Sequence, residues 1–528
     1  MEFIKTFLEQ QPMMALFLTI AVGYLVGEIN IKGFSLGVGA VLFVALAMGW
    51  FAPKSVPAAM VGTLGLALFL YTVGVQYGKQ FFSGLTSRNG RRANLIGLSG
   101  VLFAGAVSLL LMKTIGVSVG NALGLFAGAG TSTPALQAAI EALRNNDPAV
   151  GYSVSYPIGV AGPILFLYLA FMILKPKMEA SAGTGLEMLE ILVCKGELTG
   201  KTLAEVMTTL PTGVQIVARR TAGRNEPASS TAVLAENDVL LAVGASKEAL
   251  SQAGKSLGEE SPGLLVSDRE HLDYLRVFAS RPAVVGRALS DLELPGKNGS
   301  VILHIRRGDT ELMAQPNLIL EFGDRVGLLA DRERFAAMRK FFGDSIKGTA
   351  EFSYISIGLG MALGFLIGAV QVPLPIIGKL VVGLAGVLIV ALILGNVRRT
   401  GRINWTIPLS ANLVLRNFGL TLFLAQIGMS SGPKFAVTIS QTGFQMLGLG
   451  AVVLTALVLP VVVLGLFVYH MPFDEVAGIV SGVCGNPAIL GFSNRLAPTD
   501  RPDLGYAMIF PGMTIVKILF VDIVAKLF

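Results

Sequence analysis

TSTPALQAAIEALRNNDPAVGYSVSYP occupies residues 131–157, and CGNPAILGFSNRLAPTDRPDLGYAMIFP occupies residues 484–511. The two read as copies. Each carries small polar residues, a proline (Pro134, Pro487), an apolar helical run, an aspartate (Asp147, Asp500), Gly-Tyr (Gly151-Tyr152, Gly505-Tyr506) and a second proline (Pro157, Pro511). The match extends upstream, where GLALFLYTVG at Gly65–Gly74 answers GLTLFLAQIG at Gly419–Gly428. An apolar half present twice, and broken by Gly and Pro at corresponding places, is the mark of a secondary transporter.

Composition points the same way. The chain is 53% hydrophobic and 14% charged, outside the range of soluble globular proteins. The charge is segregated: more than half of the Asp, Glu, Lys and Arg residues lie between Glu179 and Lys347. No basic run with interleaved aromatics suggests nucleic acid. Cys194 and Cys484 lie in different regions and suggest no disulfide framework. Met13–Val26 lacks a basic flank and a small-residue cleavage site, so it reads as a first spanning helix.

Spans of about 17–25 apolar residues are expected near 12–28, 34–51, 59–78, 94–115 and 153–174, and again near 353–370, 376–395, 408–430, 443–468 and 504–526. Each arm adds a segment, 119–143 or 474–496, interrupted by GAGTSTP or SGVCGNP. These segments read as re-entrant hairpins or broken helices. The expected fold is therefore a polytopic α-helical membrane protein of two inverted repeats, each with five spans and one hairpin. The expected domains are repeat 1 at 1–177, soluble modules at 178–267 and 268–350, and repeat 2 at 351–528. An odd span count per repeat forces opposite orientations. Basic clusters at Lys79, Arg88, Arg91 and Arg92, at Lys175 and Lys177, and at Arg398, Arg399 and Arg402 place the central domain inside and both termini outside.

The central domain repeats as well. VQIVARR at Val214–Arg220 answers VILHIRR at Val301–Arg307, with turns expected around Asp238 and Asp324. The pattern resembles the TrkA-C (RCK-C type) ligand-binding module, which implies either a sensor of an unknown small ligand or a structural, dimerising element. No G-x-G-x-x-G follows a strand, so a Rossmann nucleotide site is not supported.

The broken segments are the candidate site. Thr133 and Asn486 suit helix N-caps, each followed by a proline suited to the first helical turn. Unpaired N–H groups and positive dipole ends at such starts favour an anion, a carboxylate above all. Thr131, Ser132, Thr133, Ser481 and Asn486 add neutral donors. Gly128, Gly130, Gly482 and Gly485 would let backbone approach a ligand closely. The alternative is a pair of kinks sealed by neighbouring helices. The candidate substrate-binding set is Gly130, Thr131, Ser132, Thr133, Pro134, Ser481, Cys484, Gly485, Asn486, Pro487 and Arg416. Arg416 would either clamp a carboxylate bidentately or snorkel to the interface. Lys517 and Asp522, five apart in the last span, would balance charge, relay protons or face lipid. Asp147 and Asp500 read as caps of the last spans. His271, His304 and His470 show no metal-ligand spacing, no Ser-His-Asp or Cys-His set can be argued, and no cofactor is expected.

Taken together, the hairpin repeats TPAL…D…GY and NPAI…D…GY, five spans per arm and the tandem modules resemble the aspartate:alanine exchanger family of bacterial inner membranes. The resemblance covers essentially the whole chain. It implies electrogenic or proton-linked exchange and export of small amino and dicarboxylic acids (aspartate, alanine, succinate) by a homodimer. The expected activity is alternating access of the elevator type, with the hairpin-bearing parts moving against a scaffold. A sodium-coupled carboxylate symporter is one rival. A TrkA-C-regulated cation:proton antiporter or channel is another, and it would need intramembrane acids that the hairpin tips lack.

Overall fold

The structure is a computed structural model. It describes residues 2–29, 37–176, 186–244, 246–261, 263, 265, 272–292, 294, 300–307, 310–345, 353–374, 378–497, 499 and 501–528. Lys177, His271 and Asp500 lie outside the described residues. The chain forms two compact units: Met1–Glu179, Tyr354–Trp405 and Asn412–Phe528 make one, and Ala180–Ser353 with Thr406–Ala411 make the other.

The first apolar arm runs through α1 (Glu2–Gln10), α2 (Pro12–Gly27), α3 (Ala40–Phe51), α4 (Ala59–Thr86), α5 (Arg88–Ile115), α6 (Val119–Ala129), α7 (Thr133–Leu143) and α8 (Asp147–Leu174). The soluble unit follows, with α9 (Leu203–Met207), α10 (Lys247–Leu257) and α11 (Phe335–Phe342). The second arm has α12 (Tyr354–Gly368), α13 (Ala385–Val397), α14 (Leu409–Val463), α15 (Phe473–Cys484), α16 (Pro487–Leu496) and α17 (Arg501–Leu527). Among the described residues six helical stretches are long and apolar enough to cross a membrane: α4, α5, α8, α17 and two stretches at Leu409–Val437 and Phe444–Val468. The other four expected spans appear as the shorter helices α2, α3, α12 and α13. The stretch expected to span from residue 376 instead begins as a β-hairpin, Gln371–Leu374 paired with Gly378–Val381, and α13 starts nine residues later. Pro373 and a cluster of β-branched residues favour strand over helix there.

The two arms pack reciprocally. A Cβ on Gly65 of α4 would sit 2.5 Å from the Gly419 carbonyl of α14, and a Cβ on Gly419 would sit 2.5 Å from the Gly65 carbonyl. These are the two first residues of the repeated GLxLFL stretches. A residue that meets its own counterpart in both directions is the pattern of an isologous, twofold contact, here within one chain. The next layer repeats it: Gly74 of α4 lies against Ala391 of α13, and Gly428 of α14 lies against Ala45 of α3, each with a Cβ–Cβ approach of 2.5 Å. Glycine at these places allows the backbones to touch, the usual device for helix association in lipid.

The soluble unit holds two modules of one design. One sheet has the order β3-β2-β4-β1-β5 and the other β8-β7-β9-β6. Here β1 is Glu187–Val193, β2 Val214–Thr221, β3 Arg224–Pro227, β4 Val239–Gly244 and β5 Gly258–Glu260; β6 is Asp273–Phe278, β7 Ser300–Arg307, β8 Thr310–Met313 and β9 Arg325–Ala330. Val214 pairs with Gly244 and Ser300 with Ala330, and both ladders are bulged two residues later, at Ile216/Ala218 and Ile302/His304. Strand register thus sets Val214 against Ser300, one residue from the alignment that the sequence suggested. Val217, Leu241, Val243, Leu272 and Leu303 form a common apolar layer between the modules.

Asp324, 1% exposed, closes the turn before β9: its Oδ2 accepts from the Glu321 N–H at 2.8 Å and from Arg307 Nη2 at 2.7 Å, and its Oδ1 accepts from Arg307 Nε at 2.9 Å. Arg307→Met would leave that carboxylate buried without its cation. Removing one partner of a buried pair costs about 3–5 kcal/mol, and a partly exposed Arg307 puts the expectation near the lower end. Hydrogen exchange on the whole protein should show faster exchange in β6, β7 and β9 with α4–α8 unchanged; unchanged protection in β9 would contradict this role.

Candidate functional site

Both interruptions are built by the same local rule. In the first, α6 ends at Ala129, Gly130 follows, Thr131 takes a left-handed φ of 41°, and Ser132 is the N-cap of α7. In the second, α15 ends at Cys484, Gly485 turns the chain with φ 79°, and Asn486 caps α16. Pro134 and Pro487 sit in the first turns, where a missing N–H costs nothing. Asn486 behaves as expected, its Oδ1 accepting from the Ala488 N–H at 2.9 Å. Thr133 does not. It is the first residue inside α7, and its hydroxyl lies 3.4 Å from Tyr152 Oη. The cap position belongs to Ser132, because the left-handed Thr131 spends the turn one residue earlier. Ser132 Oγ is buried and has no hydrogen-bond partner among the described residues.

The breaks meet each other. Thr131 Oγ1 donates to the Cys484 carbonyl at 2.8 Å. Lys517 Nζ, from the middle of α17, donates to the Gly130 carbonyl at 2.9 Å and to the Val483 carbonyl. Helix C-terminal ends leave unpaired carbonyls and partial negative charge, and a cation is favourable there. The N-terminal ends of α7 and α16 remain open to the adjoining space.

That space is a cavity of about 330 Å3. Thr131, Ser132, Thr133 and Pro134 line it from one break, and Cys484, Gly485, Asn486 and Pro487 from the other. Arg416, Asn417, Tyr156, Tyr506, Phe510, Thr514 and Lys517 complete the polar and aromatic walls. Arg416 Nη1 donates to Gln76 Oε1 at 3.2 Å and lies 3.4 Å from Tyr77 Oη, which aims the guanidinium from α14 across to α4. Tyr506 and Phe510 stack at 5.1 Å, and Tyr77 meets both edge-on. Among the described residues that line it there is no aspartate or glutamate. Arg416 is thus a wall residue of the cavity.

Some of the expected residues lie elsewhere. Ser481 is inside α15, its hydroxyl bonded to the Ala477 carbonyl at 2.7 Å and 3.0 Å from Ser493 Oγ. Gly130 acts through its carbonyl on Lys517. Gly128 serves helix contact rather than ligand approach: a Cβ there would come within 2.5 Å of the Tyr152 carbonyl. Gly482 likewise faces Tyr506 on α17. Asp147 opens α8 and pairs with Lys434 at 2.7 Å on the exposed side, while Asn146 holds the cap position. Asp522 lines a separate cavity with Glu141, Arg144 and Lys526. Three wall residues lay outside the candidate set: Lys517, read in the sequence only as balancing charge, relaying protons or facing lipid, with Tyr156 and Tyr506. The repeated Gly-Tyr was a signal for Tyr506, whereas Tyr156, in SVSYP, carries none. Among the described residues no group of His, Cys, Asp and Glu is arranged to hold a metal ion.

A family model for the aspartate–alanine exchangers, described as a predicted permease membrane region, matches residues 15–172 and 356–526, one stretch in each arm. A TrkA-C domain model matches residues 274–343, which is the second soluble module. Among curated relatives, an uncharacterized transporter of Geobacter sulfurreducens is 37% identical over 97% of this chain and 98% of its own. An uncharacterized transporter of Symbiobacterium thermophilum is 36% identical over 98% of both chains. One from Corynebacterium diphtheriae is 35% identical over 97% of this chain and 98% of its own.

Proposed function

The chain belongs to the aspartate–alanine exchanger family of membrane permeases, and from that premise we propose that it carries small carboxylates across the bacterial inner membrane by alternating access. One observation carries this reading: two helix starts, Arg416 and Lys517 converge on one cavity whose lining holds no acid. Carboxylates satisfy open helix N-termini and guanidinium donors together. A cation:proton antiporter or channel would need oxygen anions in the same place, and the composition of the lining argues against it.

The remaining parts of the reading follow from the repeat. Five spans and a hairpin per arm put the arms in opposite orientation, consistent with the reciprocal Gly65–Gly419 contact, so each break opens toward a different side. The basic loops assign the soluble modules to the cytoplasm and the termini to the periplasm. Segments α6–α8 and α15–α17, tied through Thr131 and Lys517, form the moving part, and the other helices form a scaffold with homodimer contacts. Uptake of labelled aspartate, alanine or succinate into proteoliposomes preloaded with each compound tests the reading. Exchange of at least one of them, dependent on internal carboxylate, is expected. Flux of sodium or potassium without any carboxylate would replace this function with cation transport.

A further inference from the structure

Lys517 is 2% exposed, yet no carboxylate stands beside it in the cavity wall. An ammonium group has three donors. Two reach the Gly130 and Val483 carbonyls. The third has no partner among the described residues. Arg416 spends Nη1 on Gln76 and Tyr77, and its Nε and Nη2 likewise have no partner among the described residues. On the same lining, Ser132 is 5% exposed and its Oγ has no partner among the described residues. A buried charge without a counter-charge is costly. The described lining of this cavity has two cations, two open helix starts and an idle hydroxyl with no acid among them, so it suits anionic groups.

We propose that Lys517 is a specificity-determining residue, the second cation of the site, and that the site takes a small dianion: two carboxylates on one short carbon chain. One carboxylate meets the Arg416 fork. The other lies where the two breaks cross, against Lys517, Ser132 and the start of α7. An ammonium group on the ligand finds no acidic partner in the lining, so a dicarboxylate without one is the better fit than a neutral amino acid. This rests on the reading of the cavity as a carboxylate site.

The test compares succinate with succinamate, which has the same chain length and one charge fewer, by calorimetric binding to the purified full-length protein. Wild-type protein should hold succinate at least about thirty-fold more tightly, the worth of a charge-assisted hydrogen bond. Lys517→Met removes the charge at similar length, so it should weaken succinate far more than succinamate and bring the ratio to within about threefold. Lys517→Arg keeps the charge and should keep succinate the preferred ligand. A wild-type ratio near one overturns the proposal while leaving the carboxylate reading intact, whereas a wild-type protein that binds neither compound overturns that reading itself. A folded Lys517→Met with the wild-type ratio assigns the second carboxylate to another residue and ends the proposal. Because Lys517→Met also strips two carbonyls of their donor, a variant that fails to fold leaves the decision to Lys517→Arg and wild-type protein: Lys517→Arg without preference for succinate then overturns it.

Discussion

Arg416→Gln should lower the affinity for a small dicarboxylate by about ten- to a hundred-fold, the cost of losing charge-assisted hydrogen bonds worth roughly 1.5–3 kcal/mol. Glutamine ends two bonds short of Nη1 and gives up the bonds to Gln76 and Tyr77, but α4 and α14 still meet at Gly65 and Gly419, so thermal stability should change little. Arg416→Lys keeps the charge but not the planar fork. Its loss should be smaller, and a monocarboxylate should suffer less than a dicarboxylate in either variant. Equilibrium binding to purified protein reads both effects. Wild-type affinity in both variants would make the guanidinium a mere bridge between α4 and α14, whose bonds to Gln76 at 3.2 Å and Tyr77 at 3.4 Å are already in place.

How far the sequence could be read depended on how local the cause was. The breaks were legible because glycine and proline act within one turn, and Asn486 was legible as a cap because capping spans two residues. The Thr133 assignment failed by one residue because the decisive event is the left-handed turn at Thr131, which a threonine adopts only against a steric cost. That cost is met by a bond from Thr131 Oγ1 to the Cys484 carbonyl, 353 residues away, and no local pattern contains it. The contacts of Lys517, which the sequence left between charge balance, proton relay and lipid, were hidden for the same reason. Its neighbours in sequence are apolar and Asp522, while its partners in space are the Gly130 and Val483 carbonyls. Apolar run length also over-extended the second span of the second arm, expected from residue 376, since Gly378–Val381 is apolar but pairs as a strand with Gln371–Leu374. The repeat itself, by contrast, was fully visible, because duplicated sequence packs by duplicated rules: Gly65 and Gly419 match in the chain and touch in the fold.

The two helix starts can be separated from each other and from simple stability. Ser132 Oγ has no partner among the described residues, so Ser132→Ala should unfold like wild type and still lose affinity, by about three- to ten-fold for one hydrogen bond to a ligand. Asn486 caps α16 through its Oδ1. Asn486→Leu removes the cap and the amide donor together, which should cost about 0.5–2 kcal/mol of stability as well as affinity. Asn486→Asp isolates the second effect. Aspartate caps as well as asparagine, so stability should hold, but a negative charge now sits at the mouth of the α16 start. At 4 Å two like charges near a protein surface repel by about 4 kcal/mol, enough to abolish measurable binding of a carboxylate. Melting curves and binding isotherms on the same preparations decide it. If Asn486→Asp binds anions as wild type does, the start of α16 does not face the ligand. The site would then belong to the first break and Arg416 alone, and the two-sided arrangement would have no role in recognition.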